Sequence, residues 1–247
     1  MPPVGYPRYV TGRRAALIAI CGVIAAGSLG IAIQAARYAH EESTRPPSAV
    51  EIAQARTTAV AQRWERLPLR SIFPATVAYT TAQNTTETAT RLAISSGDSC
   101  GESLDVTVAG AASRFGCVAV LRASYADELG GTVYTVGVVV FPASANARGF
   151  ARSVPATTNP ATGLNALAVS GTAAARFANQ ARQAIATAVT GPYVVLAVSG
   201  YADGRPASEA AEPRNSVFGP ARRLVAAVEA PLAAPQRVSC GTAEFTC

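Results

Sequence analysis

The chain has 247 residues with 21 Arg, no Lys, 15 Asp plus Glu and a single His, for a net charge of +6. Residues 1–37 carry four Arg and no acid, whereas residues 38–247 carry 17 Arg against 15 acids, leaving +2 there. That near-neutral remainder excludes the clustered basic face of a nucleic-acid binder. The absence of Lys removes Schiff-base chemistry and the phosphate-loop lysine, and a lone His40 excludes a His-based triad or a His-rich metal site.

The first element in chain order is an apolar run from Ala15 to Ala36, 22 residues without a charge. At about 1.5 Å per residue it reaches roughly 33 Å as a helix, enough for a hydrocarbon core of about 30 Å. Arg8, Arg13 and Arg14 precede it without an acid, and the mixed set Arg37, His40, Glu41, Glu42 and Arg45 follows. The positive-inside rule therefore predicts a cytoplasmic tail over 1–14 and a single-pass helix over 15–37. A juxtamembrane linker and stalk helix over 38–70 and an extracytoplasmic domain over 71–247 follow from this. A cleaved signal peptide is the rival, disfavoured because the run exceeds the usual length and lacks a good small-x-small site. Gly22, Ala26 and Gly30 place small side chains on one helix face, a spacing that permits helix pairing in lipid but arises readily in a chain rich in Ala and Gly.

Beyond Pro46-Pro47, the pattern predicts a helix from Val50 to Leu67, with Ala53, Val60, Trp64 and Leu67 on its inner face and Arg63 off it, ended by Pro68. An extended segment runs from Ser71 to Tyr79, and the Thr-rich stretch from Thr80 to Thr90 reads as a surface loop, with a short strand over Arg91 to Ile94. Val118 to Tyr125 and Thr132 to Phe141, joined by a turn over Asp127 to Gly131, read as a β-hairpin. A helix capped by Ser144 continues to about Val154. A loop over 155–163, a strand over Leu164 to Val169 and an amphipathic helix over Thr172 to Val189 come next. Gly191-Pro192 leads into an apolar strand from Tyr193 to Tyr201, then a polar loop over 202–216 and a helix opened by Pro220, with Leu224, Val225 and Val228 inward. The order predicts an α+β domain with a mostly antiparallel sheet of four or five strands and helices on one face.

Cys21 falls within the membrane helix, and the other cysteines are Cys100, Cys117, Cys240 and Cys247. An even count in an oxidising compartment predicts two disulfides. Of the three pairings, Cys100–Cys117 and Cys240–Cys247 join sequence neighbours. Zinc is the alternative, but 16 residues separate Cys100 from Cys117 and no His is near.

The tripeptide Tyr-Ala-Asp ends two apolar strands, as Tyr125-Ala126-Asp127 and Tyr201-Ala202-Asp203. If those strands are parallel neighbours, Arg122, Tyr125, Asp127, Tyr201, Asp203 and Arg205 line a ligand cleft whose carboxylates could serve as acid and base or hold a cation. The alternative is turn chemistry, in which each Asp bonds nearby backbone amides. Glu102 with Asp105, and Asp127 with Glu128, read as solvated loop charges. No catalytic residue, metal ligand or cofactor is assigned.

Val138-Val139-Val140-Phe141-Pro142, followed by Ala145, Ala147 and Phe150, resembles the strand-to-helix passage of extracellular sensor domains in actinobacterial receptor serine/threonine kinases. The layout from Ile72-Phe73-Pro74 through Cys100, Gly116-Cys117 and the Val133-to-Phe141 strand is similar to that of actinobacterial single-pass membrane proteins. The Trp-x-x-Cys element of the sensor domains is absent, since the sole Trp is Trp64. The resemblance implies a membrane-anchored, disulfide-bonded α+β domain that binds an envelope ligand in a cleft, and it transfers no functional residue. With 14 residues ahead of the helix, the expectation is an accessory or sensory subunit serving a membrane or envelope protein partner or a small envelope ligand. An exported carboxylate-dependent hydrolase and a structural tether are the alternatives.

Overall fold

The computed structural model describes residues 9–44, 47–155, 160–207 and 218–235. Cys240 and Cys247, and with them the second predicted disulfide, lie outside these residues. The chain divides into two compact units, one through Glu51 and one from Ile52 onward.

The first unit is dominated by α1 (Tyr9–Thr44), a 36-residue helix. Its stretch Leu17–Glu41 is long and apolar enough to cross a membrane. Near the end of this unit, Ser48 and Glu51 form a reciprocal cap. The Glu51 carboxylate accepts the Ser48 N–H at 2.7 Å, and Ser48 Oγ accepts the Glu51 N–H at 3.3 Å. This starts α2 (Ala49–Ala61).

The second unit is built on one six-stranded, wholly antiparallel sheet in the order β1-β2-β3-β4-β6-β5. Its strands are β1 (Thr76–Thr80), β2 (Thr86–Asp98), β3 (Ala119–Ala126), β4 (Thr132–Val140), β5 (Ala184–Thr190) and β6 (Tyr193–Tyr201). Two register shifts in β2, at Arg91/Ala93 and Ser95/Asp98, bend the sheet. The sheet curls around α8 (Pro220–Ala233), which touches β1, β4, β5 and β6.

Helices cover both faces, where one covered face was predicted. Tyr125, Tyr134, Val136, Val138, Tyr193 and Val195 face α8 through Leu224, Val225 and Val228. Val120, Val133, Val139, Val194, Leu196 and Val198 form a second core with α6 (Val106–Arg114) and α7 (Ser144–Ser153). Burial on both sides explains why β4 and β6 read as unbroken apolar runs with little alternation.

The sheet has six strands because two predicted elements are different in kind. Thr86 to Thr90 belong to the long β2, leaving Thr81–Thr85 as a tight tip with Asn84 at φ 61°. Threonine is β-branched and suits a pleated, half-buried surface as well as a loop. The helix expected over Thr172 to Val189 is two 3-10 turns, Ala173–Arg176 and Asn179–Ala181, followed by strand β5. Ile185, Thr187 and Val189 are β-branched at alternate positions. Gly191 (φ 52°) and Pro192 close a two-residue hairpin with Thr190 opposite Tyr193. Leu164 to Val169, expected as a strand, joins no sheet and forms the single bridge Leu104–Leu164. The segment before β3 holds two helices absent from the sequence reading, α5 (Cys100–Ser103) and α6, capped by Ser99 and Asp105.

The chain between α1 and the sheet is broken where one helix was predicted. α2 ends at Ala61, and α3 (Arg63–Arg66) and α4 (Leu69–Ile72) follow. Leu67 turns extended ahead of Pro68. Cys100 and Cys117 are disulfide-bonded, pinning the start of α5 to the approach of β3.

Candidate pocket at the sheet rim

β3 and β6 are each antiparallel to β4, so they run in the same direction with β4 between them. Both Tyr-Ala-Asp sequences therefore end on one rim, one strand apart. Asp127 and Asp203 both perform turn chemistry there. Asp127 accepts the Thr132 N–H at 3.0 Å, and Asp203 accepts the Arg205 N–H at 3.0 Å.

The six residues expected to form one cleft occupy three environments. Arg122 is buried on the α6–α7 face and donates to the Asn165 carbonyl at 3.0 Å. Tyr125 is fully buried on the α8 face, its hydroxyl donating to the Pro74 carbonyl at 2.9 Å. Tyr201, Asp203 and Arg205 form an outer group. The Arg205 guanidinium pairs with Asp203 at 2.6 Å and lies 4.4 Å from the Tyr201 ring centroid. Arg205 holds the Asp203 carboxyl below the usual carboxylate range.

Asp127 lines a cavity of about 280 Å³ to which the other five do not contribute. Its walls come from the β1–β2 hairpin (Tyr79, Gln83, Glu87), the β3–β4 turn (Asp127, Thr132) and Pro220 at the start of α8. Tyr79 and Glu87 are register partners across β1 and β2, which brings the Tyr79 hydroxyl to 2.6 Å from a Glu87 carboxylate oxygen. The Thr132 and Tyr134 hydroxyls pair at 2.7 Å nearby.

Electrostatics place both carboxylates in one field. Burial raises the Tyr79 phenol, and its bond to the Glu87 carboxylate and the Asp127 charge push it the same way. Burial likewise raises Tyr134; the Thr132 bond opposes this, and Asp127 and Glu87 add to it. Both phenols stay protonated, and the Tyr79 hydroxyl donates its hydrogen to Glu87. No Arg lines the cavity among the described residues, so its charge is that of two carboxylates. Such a site favours a small cation with hydrogen-bonding hydrogens. Among the described residues no group of three His, Cys, Asp or Glu side chains is placed to hold a metal ion.

Tyr79, Glu87 and Thr132 were not singled out from sequence, because the Thr-rich stretch concealed the β1–β2 pairing. The available signal was Asn84 at the centre of a β-branched run, a residue that tolerates the left-handed turn a hairpin tip requires.

A second cavity, also of about 280 Å³, lies between Arg56, Val60 and Ala61 of α2 and Pro142, Ala143 and Pro192, and is largely apolar. A third polar cluster is fully engaged. Arg182 is buried, pairs with Asp105 and donates to the Leu164 and Asn179 carbonyls at 2.8 Å each. Asn179 donates to Asn165 Oδ1 at 2.9 Å, and Asn165 donates to the Glu102 and Leu104 carbonyls. This network holds the irregular 160–182 segment against α5 and α6 and leaves no open group for chemistry.

Comparison with protein-family models, with curated proteins and with solved structures finds no match.

Proposed function

We propose that the protein is a single-pass, membrane-anchored binding protein of the cell envelope. Its N-terminus is cytoplasmic, and its α+β domain stands outside and captures a small protonated amine in the rim pocket. The observation that carries this reading is the convergence of Glu87 and Asp127 on one cavity beside the protonated Tyr79 phenol, with no Arg among its described lining residues. An ammonium group supplies a positive charge and several donors to the carboxylates. A calcium ion asks for about six to eight oxygens, more than two carboxylates supply.

The apolar helix supplies the anchor, and Arg8, Arg13 and Arg14 supply the orientation. The disulfide Cys100–Cys117 fits an oxidising compartment. A hydrolase reading based on Asp127 with Asp203 has lost its geometric motive, because Asp203 is paired with Arg205 outside the cavity. The domain acts as an accessory or sensory subunit, passing occupancy of the pocket to a membrane partner.

The test is calorimetric titration of the detergent-solubilised full chain with putrescine, with glucosamine and with glucose as a neutral control. Binding of an amine, weakened at least tenfold by Glu87→Gln and equally by Asp127→Asn, with no heat from glucose, is the expected result. Equal binding of glucose and glucosamine, or no amine binding at millimolar concentration, would overturn it.

A further inference from the structure

The two outer strands of the sheet, β1 and β5, differ in how they are protected. Because Thr190 and Tyr193 close a two-residue hairpin as a bonded pair, the backbone groups of Ala184, Ala186, Ala188 and Thr190 point to β6. Those of Ile185, Thr187 and Val189 point away from the sheet, and no described residue pairs with them. Natural edges are blunted by charge, proline, bulges or brevity. β5 has seven residues, Ala-Ile-Ala-Thr-Ala-Val-Thr, with no charge and no proline, and the side chains of Thr187 and Val189 are exposed. β1, at the other edge, has five residues and follows Pro74.

We propose that β5 is a dimerisation edge, pairing antiparallel with β5 of a second copy of this chain about a two-fold axis through Thr187. The edge itself selects that occupant. Its outward groups lie symmetrically at one central residue and two flanking ones. A two-fold therefore sets Thr187 against itself and Ile185 against Val189 of the other copy, forming three bonded pairs. All six side chains are β-branched, the type that packs best across paired strands. Identical uncharged edges meet no like-charge repulsion, whereas β5 carries no charge by which to recognise a foreign strand. The contact uses one edge of each copy on a two-fold, so it closes at two subunits and does not run on as a fibre.

The experiment uses the full chain in native membranes with Cys21→Ser as background and a short bis-methanethiosulfonate crosslinker. In the proposed pair the position-187 Cα atoms lie about 5.5 Å apart. The position-189 Cα atoms lie about 15 Å apart, at roughly 3.4 Å per residue along the strand and about 5.5 Å across it. Thr187→Cys is expected to give a covalent dimer as the main species, and Val189→Cys to stay at the level of the background chain. Crosslinking at 187 no greater than at 189 overturns the proposal. Independently, Thr187→Lys places two like charges on the axis. Light scattering should show the detergent-corrected mass falling from dimer to monomer while the Cys100–Cys117 bridge stays intact. An unchanged mass overturns the proposal, whichever mass it is.

Discussion

The Arg63 guanidinium lies 2.6 Å from the carbonyl oxygen of Leu232, in the last turn of α8, and 2.6 Å from that of Ala234 just beyond it. Carbonyls at a helix C-terminus have no partner within the helix, and a cation there also faces the negative end of the helix dipole. Arg63 is only 6% exposed, so the bonds form away from competing water. A residue near the start of the second unit thereby closes the helix around which the whole sheet curls.

Replacing Arg63 with Met keeps much of the apolar stem and removes these charged bonds. The expected loss is about 1.5–3 kcal/mol, the range for hydrogen bonds to a charged group. Arg66→Ala, on the exposed side of α3, should stay within about 0.5 kcal/mol. Trp64 is the sole tryptophan, and its backbone N–H donates to Tyr193 at 3.3 Å. Its fluorescence during urea unfolding of the solubilised chain is therefore a direct readout. Equal losses in the two variants would show that Arg63 acts by bulk alone.

Arg63 also marks where the sequence stopped being legible. Helical period puts it on the solvent side of a helix running to Leu67, and nothing local says that the end of a helix some 170 residues away lacks donors. The β3–β4 hairpin, β6 and the Pro220 helix were readable because their signals are local, as apolar runs bounded by Asp, Gly or Pro. The stretch from Phe177 to Val189 was not readable, because its many alanines satisfy a 3.6-residue period as easily as an alternation. Ile185, Thr187 and Val189, ahead of Gly191-Pro192, carry the strand signal, and they are few. For the pocket, Asp127 was found through its turn, whereas Glu87 and Tyr79 required the pairing of β1 with β2. Pairing is a long-range fact even when the loop is short.

The disulfide between Cys100 and Cys117 closes a loop of 17 residues around α5 and α6. Closing a loop of that size restrains the unfolded chain by about 3 kcal/mol in the entropy account. The paired substitution Cys100→Ala with Cys117→Ala should lower unfolding stability by roughly that amount while leaving the β4–β6 core folded. Peptide mapping without reduction should recover the Cys100–Cys117 cross-link. The same map addresses Cys240 and Cys247, which are expected to be joined to each other. Free thiols at those two positions would remove the second bridge.

Acid should loosen the domain through Asp105. Burial raises this carboxyl, but the bonds from Arg182 and from the Thr107 amide outweigh it and leave the folded value below the ordinary one. An unfolded Asp titrates near about 3.9. The folded state therefore binds its proton later than the unfolded state as pH falls. Asp105 contributes stability above the unfolded value, and that contribution is lost as pH falls through the folded value. Arg182→Met removes the partner that lowers the carboxyl and leaves the Leu164 and Asn179 carbonyls without their buried donor. Breaking a buried pair in this way costs about 3–5 kcal/mol at neutral pH. In the variant the stability lost between neutral pH and pH 3 should also be smaller than in the parent chain. Urea unfolding of both proteins across that range gives the comparison. Parallel pH profiles would assign the acid response to other carboxylates and reduce the Asp105–Arg182 pair to a packing element.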